Sequence, residues 1–154
     1  PWLHSGGRVV DGRVSQIDLV PTLLDVLGEP APAGLQGHSR ADVLRGAADL
    51  AGNDVVVEWN ARPGGRAGAG QERPDAEGNR YHGAPWRCIV TADGWKLNLS
   101  PDDHGELYHL SEDPYELVNL YDSAAHQPRI RDLAGRIAAW QRTNGDAVPL
   151  PHVA

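Results

Sequence analysis

The chain has 154 residues and a formal net charge of −7, with 40% hydrophobic and 23% charged residues. This is an ordinary globular composition, which disfavours disorder of the whole chain. Its acidic balance, with only 14 Lys and Arg residues, argues against a nucleic-acid-binding surface. No apolar run reaches the length of a membrane span, and the single cysteine permits no internal disulfide.

The first predicted element is a helix over about 17–27. Asp18 is placed to cap it, Pro21 suits its first turn, and Gly28 supplies its end. Asp18 and Thr22 are therefore expected to serve in capping and packing. The apolar face of this helix continues through Leu23, Leu24 and Leu27.

Three further segments follow along the chain. Ser39 is placed to cap a short helix over 40–45, with Gly46 as its end. The apolar run 54–59 predicts a buried strand. The interval of about 60–84 is rich in Gly and almost without aliphatic residues, which predicts a flexible loop.

The second half predicts an antiparallel meander followed by a helix. Strands are expected over 86–92 and 95–99, joined by a two-residue hairpin turn at Asp93-Gly94, and over 106–110. A helix over 127–143 follows, because Ile130, Leu133, Ile137 and Trp140 recur on one face. Together the elements predict an α+β fold, in which a long C-terminal helix covers one face of a four-stranded antiparallel sheet.

Two segments resemble motifs of one enzyme family. The first is SQIDLVPTLLDVLG at 15–28, and the second is GWKLNLSPDDHGELYHLSEDPYELVNLYD at 94–122. Together they resemble the C-terminal part of the sulfatases, in the alkaline phosphatase superfamily. The matching positions are Asp18, Pro21, Thr22, Leu23, Leu24, Asp25 and Gly28 in the first segment, and Lys96, Leu97, Glu106, Leu107, Tyr108, Leu110, Asp113, Pro114, Glu116, Asn119 and Leu120 in the second. His109 departs from the pattern, which has aspartate there.

The resemblance implies a domain organisation. Residues 1–50, with the helix of about 17–27, would be the helical tail of a larger alkaline-phosphatase-like α/β domain. Residues 51–154 would form a C-terminal subdomain of sheet and helix, containing the loop of about 60–84. The missing N-terminal sulfatase domain would then be the partner of this chain.

The reaction centre of that family is not found in the sequence. Sulfatases carry C-x-P-x-R or S-x-P-x-R, in which the cysteine or serine becomes formylglycine. Neither pattern occurs, and Cys88 lacks the required proline and arginine. The resemblance therefore implies a non-catalytic chain without catalytic residues, metal ligands or a cofactor of its own. The parent enzyme would use formylglycine and a divalent metal, usually calcium, to hydrolyse a sulfate ester.

The residues that bracket the predicted loop are the candidate substrate-binding cluster. Strand ends next to loops commonly carry binding groups. Arg87 or Arg62 could bind a sulfate or sugar-acid oxygen, and Trp59 or Trp86 could stack on a sugar ring of a sulfated substrate. The opposing interpretation is that both Trp residues are core and both Arg residues are surface. The whole cluster comprises Glu58, Trp59, Asn60, Arg62, His82, Trp86 and Arg87.

Other chemistry and other functions have weaker support. Asp102, Asp103 and His104 form the densest group of potential metal ligands, but they lie in a predicted turn, where Asp residues are expected for turn reasons alone. One alternative function is an autonomous protein-interaction or structural module. Another is the tail of a related phosphodiesterase or phosphonate hydrolase.

Overall fold

The computed structural model describes residues 7–60, 85–101, 104–151 and 153. Apart from Asn60, the predicted loop of about 60–84 lies outside the described residues. The chain divides into two compact units, one within Pro1–Val55 plus Thr91–Asp93 and the other within Val56–Val90 plus Gly94–Ala154. In the described part of the chain, no helix is both long enough and apolar enough to cross a membrane.

The first unit contains two helices. A 3-10 turn over Gln16–Asp18 leads into α1 at Leu19–Leu27, and α2 follows at Ala41–Arg45. Both helices end at a glycine in the left-handed region, Gly28 with φ of 77° and Gly46 with φ of 78°. Glycine is favoured at this position because it has no Cβ to clash with the backbone.

The expectation that the Asp18 side chain caps α1 is wrong. The Asp18 side chain makes no cap hydrogen bond to the helix. Its carboxylate instead accepts the His38 backbone N–H at 2.9 Å and Arg40 Nε at 2.8 Å. Thr22 Oγ1 donates to the Asp18 carbonyl and accepts the Arg40 N–H. These two polar side chains therefore tie the segment around Arg40 to the start of α1.

The pKa of Asp18 reflects these contacts. Burial alone would raise its pKa, but the hydrogen bonds from the His38 N–H and from Arg40 outweigh that effect, and the pKa is lowered. Burial of the carboxylate is thus compensated by a backbone donor and a cation, as buried charges require.

The second unit contains the predicted four-stranded sheet, with spatial order β1-β2-β3-β4. The strands are β1 at Val55–Trp59, β2 at Trp86–Val90, β3 at Trp95–Leu99 and β4 at Glu106–His109. Antiparallel pairing places Ile89 opposite Leu97, and Leu97 opposite Leu107. The prediction of an antiparallel sheet is confirmed.

The expectation that the first strand is buried is wrong. β1 lies at an edge of the sheet, and the side chains of Val57 and Trp59 are 42% and 48% exposed. An edge strand has a neighbour on one side only, so a run of apolar residues does not by itself imply burial.

The predicted two-residue turn between β2 and β3 is also wrong. Val90 is paired with Lys96, so a longer connection separates the paired residues. The Thr91 hydroxyl donates to the Asp93 carboxylate within this connection. Local hydrogen bonds of this kind compete with the strand ladder and lengthen the turn.

The core of the second unit forms between the sheet and α3, which spans Gln127–Asn144. On α3 the predicted positions Ile130, Leu133 and Ile137 are fully buried, whereas Trp140 is only partly buried. The three fully buried residues pack against one face of the sheet. The sheet residues of this cluster are Ile89, Leu97, Leu99 and Leu107.

Gly105 permits a close approach at the start of β4. A Cβ atom added there would lie 2.3 Å from the Tyr121 ring. We expect Gly105→Ala to lower the free energy of unfolding by about 1–3 kcal/mol, because the ring has to move. Gly135→Ala is the matched control, since nothing lies within 4 Å of the added Cβ inside α3. It should raise stability by up to about 1 kcal/mol in urea unfolding; equal effects of the two substitutions would contradict the close contact.

Candidate functional site

Five members of the predicted cluster lie where β1 ends and β2 begins. Glu58 and Trp59 close β1, and Asn60 follows directly; Trp86 and Arg87 open β2. The indole of Trp59 is about half exposed, and so is the carboxylate of Glu58. The other two members, Arg62 and His82, lie outside the described residues. We call the five described residues the strand-end cluster.

Arg87 occupies the centre of the strand-end cluster and is only 1% exposed. Nε and Nη2 donate to the two oxygens of Asp146 at 2.7 and 2.8 Å. Nη1 donates to the carbonyls of Trp59 and Trp86, at 3.1 and 2.9 Å. The second Nη2 proton goes to Asn60 Oδ1 at 2.8 Å. A guanidinium has five N–H donors, and here each has an acceptor.

The partner of Arg87 is a residue that the sequence did not suggest. Asp146 follows Gly145, the residue that ends α3, and lies 59 positions from Arg87. It also accepts Gln141 Nε2 and the Val148 N–H. The hydrogen bonds from Arg87, followed by those from Gln141 and Val148, hold its pKa far below the usual range of aspartate. An acidic residue after a helix-ending glycine gives no signal that would identify such a pair.

This geometry restricts what the strand-end cluster can bind. The Arg87 donors are all used inside the protein, so the guanidinium has none left for a sulfate oxygen. Glu58, Trp59 and Asn60 are the exposed residues of the cluster, and the Asn60 side chain is held by Arg87. An indole can stack on a sugar and a carboxylate can accept hydroxyl hydrogen bonds, so the exposed chemistry suits a carbohydrate.

The described residues contain no cluster of potential metal ligands. Within ranges 7–60, 85–101 and 104–151, no group of three or more His, Cys, Asp or Glu side chains could hold a metal ion. Asp102 and Asp103 lie outside the described residues, and His104 is 3.2 Å from Asp122. Burial raises the pKa of the Cys88 thiol to about 11, which keeps it protonated and unreactive near neutral pH.

The motif residues after β4 build a turn. Asp113 Oδ2 accepts the Val118 N–H, and this hydrogen bond lowers the pKa of Asp113. Glu116 has a positive φ of 55° and binds Lys96 Nζ at 2.6 Å. Positive φ is uncommon for a residue with a side chain, so the ion pair holds a strained backbone position. Asp113 and Glu116 thus stabilise the connection that follows β4.

Asn119 joins this turn to the edge of the sheet. Its Oδ1 accepts the N–H groups of Leu107 and Tyr121, and its Nδ2 donates to the Gly105 carbonyl. A side-chain amide can satisfy backbone donors and acceptors in this way. The motif positions Lys96, Asp113, Glu116 and Asn119 are thereby accounted for by structure.

The Arg87–Asp146 pair makes stability depend on pH. A carboxylate whose pKa is lower in the folded state than its unfolded value of about 3.9 stabilises the fold above that value, and the contribution is lost as pH falls. We expect Asp146→Asn to flatten the loss of unfolding free energy between about pH 5 and pH 2.5, because the group no longer titrates. Urea unfolding at stepped pH measures this. Parallel curves for the two proteins would contradict the assignment, because Asp18 and Asp113 contribute equally to both.

Comparison with known proteins identifies the family. No family model matches the chain. Arylsulfatase K of Danio rerio is 31% identical over an alignment of 132 positions, which covers 78% of this chain and 20% of that protein. The uncharacterized sulfatase YidJ of Escherichia coli is 34% identical over 116 residues, or 75% of this chain and 20% of that protein. The chain belongs to the sulfatase family.

The sulfatase chain also has the fold of that family. A structure assigned to a sulfatase of Bacteroides thetaiotaomicron matches 98% of this chain with a TM-score of 0.72 at 22% identity, over 30% of its own length. The sulfatase chain spans about a fifth of the length of the curated relatives it matches, and it corresponds to their C-terminal region. The expected resemblance is confirmed for both sequence and fold.

Proposed function

We propose that this chain is the non-catalytic C-terminal part of an enzyme that hydrolyses sulfate esters, and that it supports the fold and contributes to substrate recognition. The observation that carries the proposal is the match to sulfatases over most of this chain but only a fifth of theirs. Formylglycine and a divalent metal, most commonly calcium in the family, would be held by the other part of the enzyme. The described residues contain no group that could hold a metal, so no metal-dependent step is proposed for them.

Substrate recognition is proposed for the exposed part of the strand-end cluster. The Trp59 ring is about half exposed, and Glu58 next to it presents a carboxylate to solvent. One solved structure of similar fold, with a TM-score of 0.65, contains its substrate D-glucosamine-2-N,6-O-disulfate. A sulfated sugar is therefore the substrate class that we propose for the enzyme. In this arrangement Trp59 would stack on a sugar ring. Arg87 would hold the strand end that carries Trp59 and would not contact the sugar itself.

The partner of this chain would be the N-terminal sulfatase domain. On α1, Leu19, Val20, Leu23 and Leu27 are all at least half exposed. A shallow cavity of about 280 Å³ next to α1 is lined by Ile17, Val20, Leu35 and neighbouring residues. Burial of apolar side chains of this size lowers the free energy of the protein. The exposed apolar face of α1 is therefore expected to be covered by another part of the whole enzyme.

Two other functions have specific support. A phosphonate monoester hydrolase of Agrobacterium radiobacter has a similar fold, with a TM-score of 0.59, so hydrolysis of a phosphonate ester is the second candidate activity for the whole enzyme. The exposed face of α1 would also suit an autonomous interaction module. A stable dimer of the isolated chain that buries α1 would favour the module.

The proposal predicts the behaviour of the purified chain. We expect no hydrolysis of 4-nitrophenyl sulfate above the blank and no tight calcium binding by titration calorimetry. The physical reason is that the described residues contain no cluster of potential metal ligands, and that the buried Cys88 thiol is protonated near neutral pH. The positive control is a full-length sulfatase assayed in parallel. Turnover that copurifies with the chain and disappears in a Cys88→Ala variant would contradict the proposal.

A further inference from the structure

We propose that Arg87 and Asp146 are positioning residues, which fix the end of β1 beside the start of β2 and so set the geometry of the recognition surface. The link to substrate recognition rests on the proposed function. The positioning itself rests on the contacts of the second unit.

Arg87 connects three parts of the chain that are distant in sequence. Through Nη1 it binds the carbonyls of Trp59 and Trp86, which belong to the two strand ends. Through Nη2 it binds the side chain of Asn60, and Nε and Nη2 bind Asp146 beyond α3. The two backbone carbonyls are held by one group, so the backbone positions from which the two indoles branch are fixed relative to each other.

Asp146 is held in turn by the end of α3. Gln141 Nε2 donates to Asp146 Oδ2 at 2.9 Å and also to the Val148 carbonyl at 2.8 Å. The Val148 N–H donates to Asp146 Oδ1. The carboxylate therefore cannot rotate away without breaking its hydrogen bond to α3. Through Asp146, the end of α3 helps to fix the position of Arg87.

Stability alone does not account for such a pair. A buried ion pair often contributes no more than well-packed apolar residues, because both charges lose their hydration. Such a pair can specify one arrangement where apolar contacts would allow several. At this point of the sheet the arrangement concerns an exposed indole, Trp59, on an edge strand that has only one neighbouring strand.

The test follows the indole N–H resonances of Trp59 and Trp86, and the Arg87 Nε–H, in the isotope-labelled chain. In Arg87→Lys a charge remains, but the planar fork that reaches two carbonyls and Asn60 is lost. We expect both indole resonances to move. In Asp146→Asn, which keeps the bonds from Arg87 to the strand ends, we expect Arg87 Nε–H exchange to be about tenfold faster or more, because a charged hydrogen bond is lost.

Leu133→Ala is the control for a purely structural role. Leu133 is buried against the sheet and is not among the groups that hold Arg87, so the substitution lowers global stability without touching the pair. It should leave the two indole resonances in place. If Leu133→Ala moves them as much as Arg87→Lys does, or if Arg87→Lys leaves them unchanged, the positioning role is overturned.

Titration with glucosamine 6-sulfate separates this inference from the proposed function. Shifts of the Trp59 indole in the wild type that vanish in Arg87→Lys would support both. Movement of the indoles in Arg87→Lys without any response of the wild type to the sugar would support the positioning role and count against recognition by this surface. A sugar response unaltered in Arg87→Lys would overturn the positioning role alone.

Discussion

An Arg87→Met variant should lose roughly 3–5 kcal/mol of unfolding free energy, the cost of breaking a buried ion pair by removing one partner. The lost guanidinium leaves the Asp146 carboxylate, 10% exposed, without its two charged donors. It also leaves the carbonyls of Trp59 and Trp86 without the Nη1 donor. Urea unfolding followed by circular dichroism measures the change.

A matched substitution separates burial from charge. Arg136 pairs with Asp132 across one turn of α3, and both side chains are about 45% exposed. An exposed pair contributes at most about 1 kcal/mol, so Arg136→Met should change stability little. Equal losses from Arg136→Met and Arg87→Met would contradict the role assigned to Arg87. Adding Asp146→Leu to Arg87→Met should recover part of the loss, since the unpaired charge is removed.

Deletion of residues 127–154 should abolish cooperative unfolding of the second unit. The deletion removes Ile130, Leu133 and Ile137, each fully buried against the sheet. Burial of such side chains stabilises a fold by roughly 1.5–3 kcal/mol each. Their sum is comparable with the whole stability of a small domain, about 5–15 kcal/mol. The exposed sheet face should then leave the remainder without a stable core.

Single substitutions grade the same effect. Leu133→Ala should cost about 2–5 kcal/mol, the range for a leucine removed from a packed core. Arg142→Ala, at an exposed position of α3, should cost much less. Cooperative unfolding of the chain without residues 127–154 would show that α3 does not complete this core.

Local signals predicted most of the fold because they act within a few residues. Gly28 and Gly46 end their helices, as the sequence indicated, and both lie in the left-handed region. The spacing of Ile130 and Ile137 identified the face of α3 that is buried. These features depend on backbone geometry and on helical periodicity, which a sequence expresses directly.

The errors concern features that depend on distant partners. The burial of β1 was overestimated because its place at the sheet edge is a property of topology. The local sequence predicts a helix cap at Asp18, whereas the partners of its side chain, His38 and Arg40, lie 20 and 22 positions away. Nothing in the pattern around Arg87 distinguished a ligand-binding guanidinium from one saturated by a carboxylate 59 positions later.

The candidate site was thus predicted in part. The sequence pointed to the two strand ends, and the structure brings Trp59, Asn60, Trp86 and Arg87 together there. Their division into an exposed surface and a buried support follows from side-chain packing, which residue types alone do not determine. Substrate binding by the exposed members stays a prediction.

The most direct test of the proposal that this chain completes a sulfatase is to read the coding sequence upstream of Pro1. The proposal predicts an in-frame C-x-P-x-R or S-x-P-x-R motif, preceded by the Asp-Asp pair that binds the metal in this family. A start codon immediately before Pro1 would contradict it, and the autonomous interaction module would then be the better explanation of the exposed face of α1.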